Sequence, residues 1–563
     1  MATIIRKTKK GRPYYYAVES QRVDGKPRIV WQKYLGTIEG IIARTEEARP
    51  PVPKETVIFE LGGVAGLLGI AQRLGLLELI NEVVPKRDQG PTVGHYMVLA
   101  AINRALAPCS KATIGDWYYS TVLRRLWRFP KSAFSSQRFW DHMDMIPEEA
   151  IEAVQDQLLP RLQRDFGVDP RILLYDTTNF FTFLATSNDR SRLAQRGHAK
   201  SKRHDLRLVG LALLVTRDFQ VPLLHRTYPG NVPDVTLFPQ LSRELVDRYQ
   251  VVAGDCQEAT LVFDKGNVSD DALEPLVVDR VHFVAALPAH RVPELLATPL
   301  EEFQGLPSFP GTRVFATSQI LWGRECQIVV AHSESFFTQQ LAGVTQNLVK
   351  CQKRLLGLAS SLSRWHQGKA RGRRPTAKKV QTKVRQILSA QFMRDLFKTS
   401  VTEEDGLPVL QYEVDHAALQ RLTDERLGKT VLVTDHVSWD AAEVVATYRS
   451  LTAVEEAFKR MKNSTFLHWQ PAHHWTDQKL KIHSFYCVLG LLLATLAHQQ
   501  VSRAGIDLSL PALLKELCAI NEVAVIYPRG TLARRQGHIT LSRMSARQRR
   551  IADLLQIAEV TEG

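Results

Sequence analysis

Three carboxylates stand where this chain could do chemistry: Asp176, Asp264 and Glu455. Asp176 ends the apolar run RILLYD and Asp264 ends ATLVFD, and small or turn-prone residues follow each. Acids at the C-terminal ends of strands in an α/β sheet lie where ligands usually bind. One such aspartate is common; two suggest a pair that holds a metal ion. The third comes from ATYRSLTAVEEAFKRMKN, in which Tyr448, Glu455 and Lys462 are each seven residues apart. At a drift of about 20° per heptad, these three side chains share one helical face. Val454, Ala457, Phe458 and Met461 form the adjoining apolar stripe, which would pack the helix on a sheet. Glu455 stands at the edge of that stripe, whereas Glu456 is rotated about 100° away. The same string also fits an amphipathic helix with a solvated Glu/Lys face.

The surrounding chain divides into elements that must bring these residues together. Residues 1–48 read as a basic β module, in which YYYAVES and RIVWQKYLG are strand-like runs joined by a turn at Asp24-Gly25. A Pro-rich linker follows. Residues 55–165 are helical by periodicity. Within them, Arg124, Arg125, Arg128, Lys131 and Arg138 mix with Trp127 and Trp140. That mixture fits either a DNA-docking helix-turn-helix surface or a bundle with a solvated basic face. Strands interleaved with helices over 166–290 indicate an α/β sheet. Asp176 and Asp264 are 88 residues apart, but Asp264 and Glu455 are 191 apart. A minimal core needs only a strand, a helix and a connection between the latter pair. Residues 291–440 are therefore expected to be an insertion domain, with the core resuming at 441–505 and a basic tail at 506–563. The apolar stretch Phe485–Ala497 is shorter than the roughly 20 residues of a membrane span and reads as a buried core helix.

The motifs resemble those of bacterial transposases of the insertion-sequence-4-like group. Tyr448-x2-Leu451-x3-Glu455-x6-Lys462 is similar to that group's Y-x2-R-x3-E-x6-K motif, and YDTTNF and FDKGN are similar to the blocks carrying its two aspartates. GHAKSKRHDLR, YPGNVPD and the basic Tyr-rich N-terminal hairpin extend the resemblance over residues 1 to about 490. The resemblance implies a mixed α/β, ribonuclease H-like core with a DDE triad of Asp176, Asp264 and Glu455. It departs at Leu451, which occupies the family's Arg position. A phosphate contact from that Arg must come from elsewhere or be missing.

The expected reaction is in-line attack on a phosphodiester, first by water and then by a 3′-hydroxyl. Mg²⁺, with Mn²⁺ as a substitute, would be held by the three carboxylates. Around them, Tyr448 and Lys462 are expected to grip flanking phosphates, and Lys200, Lys202, Arg203 and Arg207 to form a basic edge. Turn chemistry explains Asn179, Asn231 and Asn267 as well as function does. His468, His473, His474 and His483 lack metal-ligand spacing and are expected in loop and core roles. No Walker-type phosphate loop is present in the sequence.

Composition agrees with a polyanion partner. The 563 residues carry 73 Lys+Arg against 58 Asp+Glu, a net +15, with an ordinary 44% hydrophobic fraction. Two segments, 350–385 and 529–550, supply +12 and +7, leaving the remainder at −4. The first, with Lys369, Arg371, Arg373 and Arg374, is expected to bind DNA backbone, although a solvated charge run is the default for such stretches. Six cysteines without a CxxC pair fit a reducing compartment. The expectation is a cytoplasmic, nucleoid-associated bacterial transposase that acts on double-stranded DNA as a homodimer or larger synaptic assembly, without a membrane. The alternatives are a non-transposing nuclease and a DNA-binding protein with a decayed site.

Overall fold

The computed structural model describes residues 2–23, 25–46, 52–85, 89–185, 187–197, 203, 205–233, 236, 238–241, 243–244, 247–248, 259–264, 266, 281–470, 472–527 and 537–562. The chain divides into two compact units.

The first unit comprises residues 1–65, 117–128 and 515–563. It begins with an antiparallel sheet of β1 (Ala2–Lys9), β2 (Arg12–Val23) and β3 (Lys26–Gly36), followed by a short helix, Ile38–Glu46. β4 (Glu55–Glu60) pairs with Asn521–Ile526, which pairs in turn with Gly537–Leu541. Part of the expected helical region and part of the expected tail thus form one three-stranded sheet, a pairing across more than 400 residues that periodicity cannot reveal. Two arginines of the expected docking surface are occupied by protein groups. The Arg124 guanidinium lies over the Phe59 and Tyr119 rings, and Arg125 forks onto Glu522.

The second unit is built on a nine-stranded mixed sheet. Its strands are β5 (Ile172–Thr182), β6 (Arg207–Thr216), β7 (Pro222–Pro229), β8 (Thr260–Phe263), β9 (His282–Ala286), β10 (Gln304–Gly305), β11 (Thr312–Leu321) and β12 (Arg324–Ser333), together with β15 below. After β12 the chain makes the 33-residue helix Glu334–His366, the helix Ala377–Ile387, and the hairpin β13 (Phe397–Glu404) and β14 (Leu407–Val414). It returns as β15 (Lys429–Thr434). The strand order is β10-β11-β12-β15-β9-β8-β5-β6-β7. The stretch 291–440, expected as an insertion, therefore supplies four strands to this sheet. Residues between β12 and β15 have their own core, including Leu355, Leu362, Val384, Met393 and Leu410. The alternating exposure of β11 is what an edge region predicts, but only pairing identifies its sheet.

β5, β6 and β7 form a meander, and β8 and β9 add parallel to β5. Gly210 on β6 lies opposite Tyr228, whose ring covers the place a Cβ would occupy. Gly210→Ala is expected to lower stability by about 1–3 kcal/mol, read as a shift of the urea midpoint.

Helix Asp477–Arg503 fills the core of this unit. By length and composition it could cross a membrane, but 94% of its most apolar window is buried in protein. It crosses helix Val93–Leu106 closely at Gly490, where a Cβ would meet the Ala101 carbonyl at 2.7 Å.

Candidate active site

β5 and β8 run parallel, with Ile172 opposite Thr260 and Leu174 opposite Val262. That register offset is 88 residues, the sequence separation of the two aspartates. Continued two residues beyond the last pair, it brings Asp176, the fifth of the eleven residues of β5, level with Asp264, the residue after β8, on neighbouring strands whose axes lie about 4.8 Å apart. Asp176 therefore does not end its strand as the apolar run suggests: β5 continues to Thr182, held by its pairing with β6. Side chains alternate along a strand, so Asp176, Thr178 and Phe180 share one face of β5. Tyr175 and Phe263 turn to the other face, where both pack on Phe238.

The face bearing the aspartates is covered by two helices, Ala441–Arg449 and Leu451–Met461. The heptad reading treated them as one. Ser450 separates them, its hydroxyl turned back onto the Thr447 carbonyl at 2.5 Å, a bond that bends helices. Ser450 remains in the right-handed helical region, so the seven-residue spacing survives the break. Val454, Ala457, Phe458 and Met461 are buried as the stripe requires. Glu456 pairs with Lys459 on the outer side.

The tyrosine and lysine of the motif reach the sheet. The Tyr448 hydroxyl donates to Asp264 Oδ1 at 2.8 Å, and Lys462 Nζ donates to Thr178 Oγ1 at 2.5 Å, lying 5.4 Å from the Phe180 ring centroid. Burial raises the Tyr448 pKa, and the charges of Asp264 and Glu455, with the hydrogen bond to Asp264, raise it further. Tyr448 is thus a protonated donor at neutral pH, lying within the field of both carboxylates. Thr178 was absent from the sequence reading, although its parity with Asp176 in YDTTNF was a usable signal.

Among the described residues, no three His, Cys, Asp or Glu side chains close into a metal-ligand shell. The candidate donors are Asp176 within β5, Asp264 just after β8 and Glu455 on the helix Leu451–Met461. All donors are oxygens. Mg²⁺ takes one or two carboxylates and completes its shell with waters and substrate phosphates, so this arrangement fits it.

The other expected contacts lie apart from this point. Lys200 and Lys202 fall outside the described residues. Arg203 forks onto Asp205, pulling that carboxyl down to about 2. Arg207 pairs in register with Thr182, six residues along β5 from Asp176, and its guanidinium donates to the carbonyls of Asn188 and Ala194. Lys369, Arg371, Arg373 and Arg374 are exposed in the loop beyond helix Glu334–His366, about 50 Å along that helix from the end of β12. Leu451 opens its helix, and Arg449 nearby bonds Thr312 Oγ1 over the Phe309 ring. Arg449 therefore does not replace the missing motif arginine.

The loop joining these helices to Asp477–Arg503 is pinned from below. Trp469 is fully buried, stacks on Phe180 and donates to Ser484 Oγ. The buried Arg104 donates to the carbonyls of Gln470 and Cys109 at 2.7 and 2.9 Å. His474 and His483 bond each other in the core, and the Tyr486 hydroxyl meets His483.

A mixed α/β protein with paired carboxylates at a parallel strand junction is the class that fold and site define. No protein-family model and no curated protein matches the chain. Among solved structures it is similar to a piggyBac transposase synaptic complex with hairpin DNA, with a TM-score of 0.37 and 10% identity over 81% of this chain and 78% of that one. It is also similar to a Mos1 transposase paired-end complex with the left transposon end, with a TM-score of 0.16 and 11% identity over 37% and 63%. Likenesses this distant carry no argument, and the functional reading rests on the site.

Proposed function

We propose that this chain is a DDE transposase of an insertion sequence, with a ribonuclease H-like core formed by β7-β6-β5-β8-β9. The observation that carries the reading is the shared 88-residue offset that brings Asp176 level with Asp264, with Tyr448 tying the helix that precedes Glu455's to the second aspartate. The order and spacing of the Tyr448, Glu455 and Lys462 motif support it.

Asp176 and Asp264 would hold Mg²⁺, or Mn²⁺ in its place, with Glu455 entering from the helix. A divalent ion there supplies Lewis-acid stabilisation of the phosphoryl oxygens and lowers the pKa of the attacking water. Tyr448 fixes the direction of the Asp264 carboxylate. Lys462, beside Thr178 and two residues along β5 from Asp176, offers a cation to a non-bridging phosphate oxygen. Water attacks phosphorus and a 3′-oxygen leaves; the freed 3′-hydroxyl then attacks a target phosphodiester. Two element ends must be held together, which implies a homodimer or larger assembly on double-stranded DNA.

The test incubates the protein with duplexes carrying the sequences that flank its gene, a target plasmid and Mg²⁺. Joined end–target products are expected, and chelation by EDTA abolishes them. Nicks without joining would favour a nuclease, and binding without cleavage a decayed site. Tyr448→Phe is expected to raise the Mg²⁺ concentration for half-maximal cleavage by about 10–100-fold, as loss of a ligand-orienting hydrogen bond does. Duplex affinity is expected to stay unchanged. A fall in affinity with unaltered metal dependence would make Tyr448 a phosphate contact instead.

A further inference from the structure

The N-terminal sheet carries a charge arrangement that no role above explains. β1 and β2 are joined by a two-residue turn, Lys10-Gly11, with φ of 50° and 78°. Positive φ at both positions marks a type I′ hairpin, where Asn or Gly is favoured and Lys is strained. Lys9 and Arg12 face each other directly across the first pair, and like charges so placed repel. The tip of this hairpin therefore concentrates three cations in four residues at a local cost in stability.

Cross-strand register shows what shares the face with Lys9 and Arg12. Lys7 pairs with Tyr14, and Tyr16 pairs with both Ile5 and Tyr34. These side chains form one layer. Lys7 lies 5.0 Å from the Tyr16 ring centroid and donates to Gln32, while Tyr34 contacts Tyr14 and Tyr16 and is 52% exposed. The sheet's one described acid, Glu19, has the opposite parity, pairing with Ala2 and Trp31. The face is thus cationic and aromatic, and no described acid of the sheet's own strands shares it.

We propose that this face is a docking surface for double-stranded DNA, entered hairpin-first into the major groove. The choice of DNA among polyanions rests on the transposase reading above. Two strands are about 5 Å apart, and a ribbon of that width enters a groove about 12 Å wide. Lys7, Lys9 and Arg12 contact phosphates, which fixes position without reading sequence. Tyr14 and Tyr34 present hydroxyls and ring edges to the bases.

The experiment measures anisotropy of the full-length chain on a labelled duplex of the flanking sequence and on a shuffled duplex of equal composition, across a salt series. Lys7→Ala/Lys9→Ala/Arg12→Ala is expected to weaken binding at least tenfold and to reduce the salt slope by about 2–3, one counterion per lost contact. Tyr14→Ala/Tyr34→Ala narrows the ratio between flanking and shuffled duplex. The charge-matched set Arg6→Ala/Lys26→Ala/Lys33→Ala lies on the opposite face and loses markedly less. Equal losses from the two triple variants, or no loss from the first, overturn the proposal, with circular dichroism showing that each variant is folded. If the wild type binds in this pattern yet joins no DNA, the docking surface stands and the transposase reading falls. If the first triple variant joins DNA as the wild type does, the reverse holds.

Discussion

Asp176→Asn and Asp264→Asn are each expected to reduce strand cleavage by at least about 1000-fold while leaving duplex affinity within about twofold. Asn matches Asp in shape but carries no charge, and a hard divalent ion is held by charge. A thousandfold loss corresponds to about 4 kcal/mol of transition-state stabilisation, within what metal-centred charge stabilisation supplies. The expected change in stability is small, because neither side chain is fully buried: Asp176, within β5, is half-buried and Asp264, just after β8, is exposed. At position 264 the amide oxygen still accepts the Tyr448 hydroxyl, so the helix above keeps its tether. Glu455→Gln is expected to behave likewise, whereas Glu456→Gln, on the outer side with Lys459, leaves cleavage unchanged. Cleavage surviving in either aspartate variant would remove that residue from the site. A similar loss in Glu456→Gln would turn the helix by 100° relative to the arrangement described here.

Acid is expected to unfold the second unit well above the pH range in which carboxylates titrate. Three buried histidines are held neutral in the folded chain. Burial pushes His225 down to about 3, with Arg248 and Arg226 adding to the shift, and burial likewise depresses His474 and His483. For a base with a lowered folded pKa, the unfolded chain binds its proton first. Stability is therefore full above the ordinary histidine pKa near 6.5 and is lost as pH falls from there toward the folded value. For His225 the loss is about 1.4 kcal/mol per pH unit, or roughly 2 kcal/mol by pH 5. His474 and His483 act in the same direction. Urea midpoints at pH 7.5, 6 and 5 measure this, and a midpoint flat across that window would show the histidines to be solvated. Beside them, Lys111 is buried between the Phe139 and Tyr486 rings, and its amine has no hydrogen-bond partner among the described residues. Burial lowers its pKa strongly, and Arg104 adds to that. Lys111→Met keeps the shape and removes the unsatisfied amine, so a gain of about 1–3 kcal/mol at pH 7 is expected.

Much of the candidate site was legible because its residues obey local rules. A buried strand reads as an apolar run, as in RILLYD and ATLVFD, but the closing acid ends the strand only at Asp264; β5 runs on through Asp176 to Thr182 because β6 pairs with it from Leu173 to Thr182. Helical periodicity alone selected Glu455 over Glu456, since a seven-residue repeat holds a face regardless of what lies opposite. The break at Ser450 was invisible, because a serine bonding back to its own helix leaves no mark in hydropathy. In the expected basic edge, the Arg207 guanidinium donates to the Asn188 carbonyl, a partner that a count of positive charges cannot reveal.

What the sequence determined by itself was the type of each candidate group and its kind of local element: two aspartates closing apolar strand runs, and a helical stretch with Tyr448, Glu455 and Lys462 on one side. Tertiary structure alone decided which elements are neighbours. The equality of the 88-residue separation with the β5–β8 register means something only once those strands are known to be adjacent. Tyr448 became a partner of Asp264 rather than a free phenol only when its helix settled on that face. The four strands that 291–440 adds to the sheet belong to the same category. The physical reason is that propensity and periodicity act within about ten residues along the chain, whereas sheet pairing is set by hydrogen bonds and buried surface between segments of any separation.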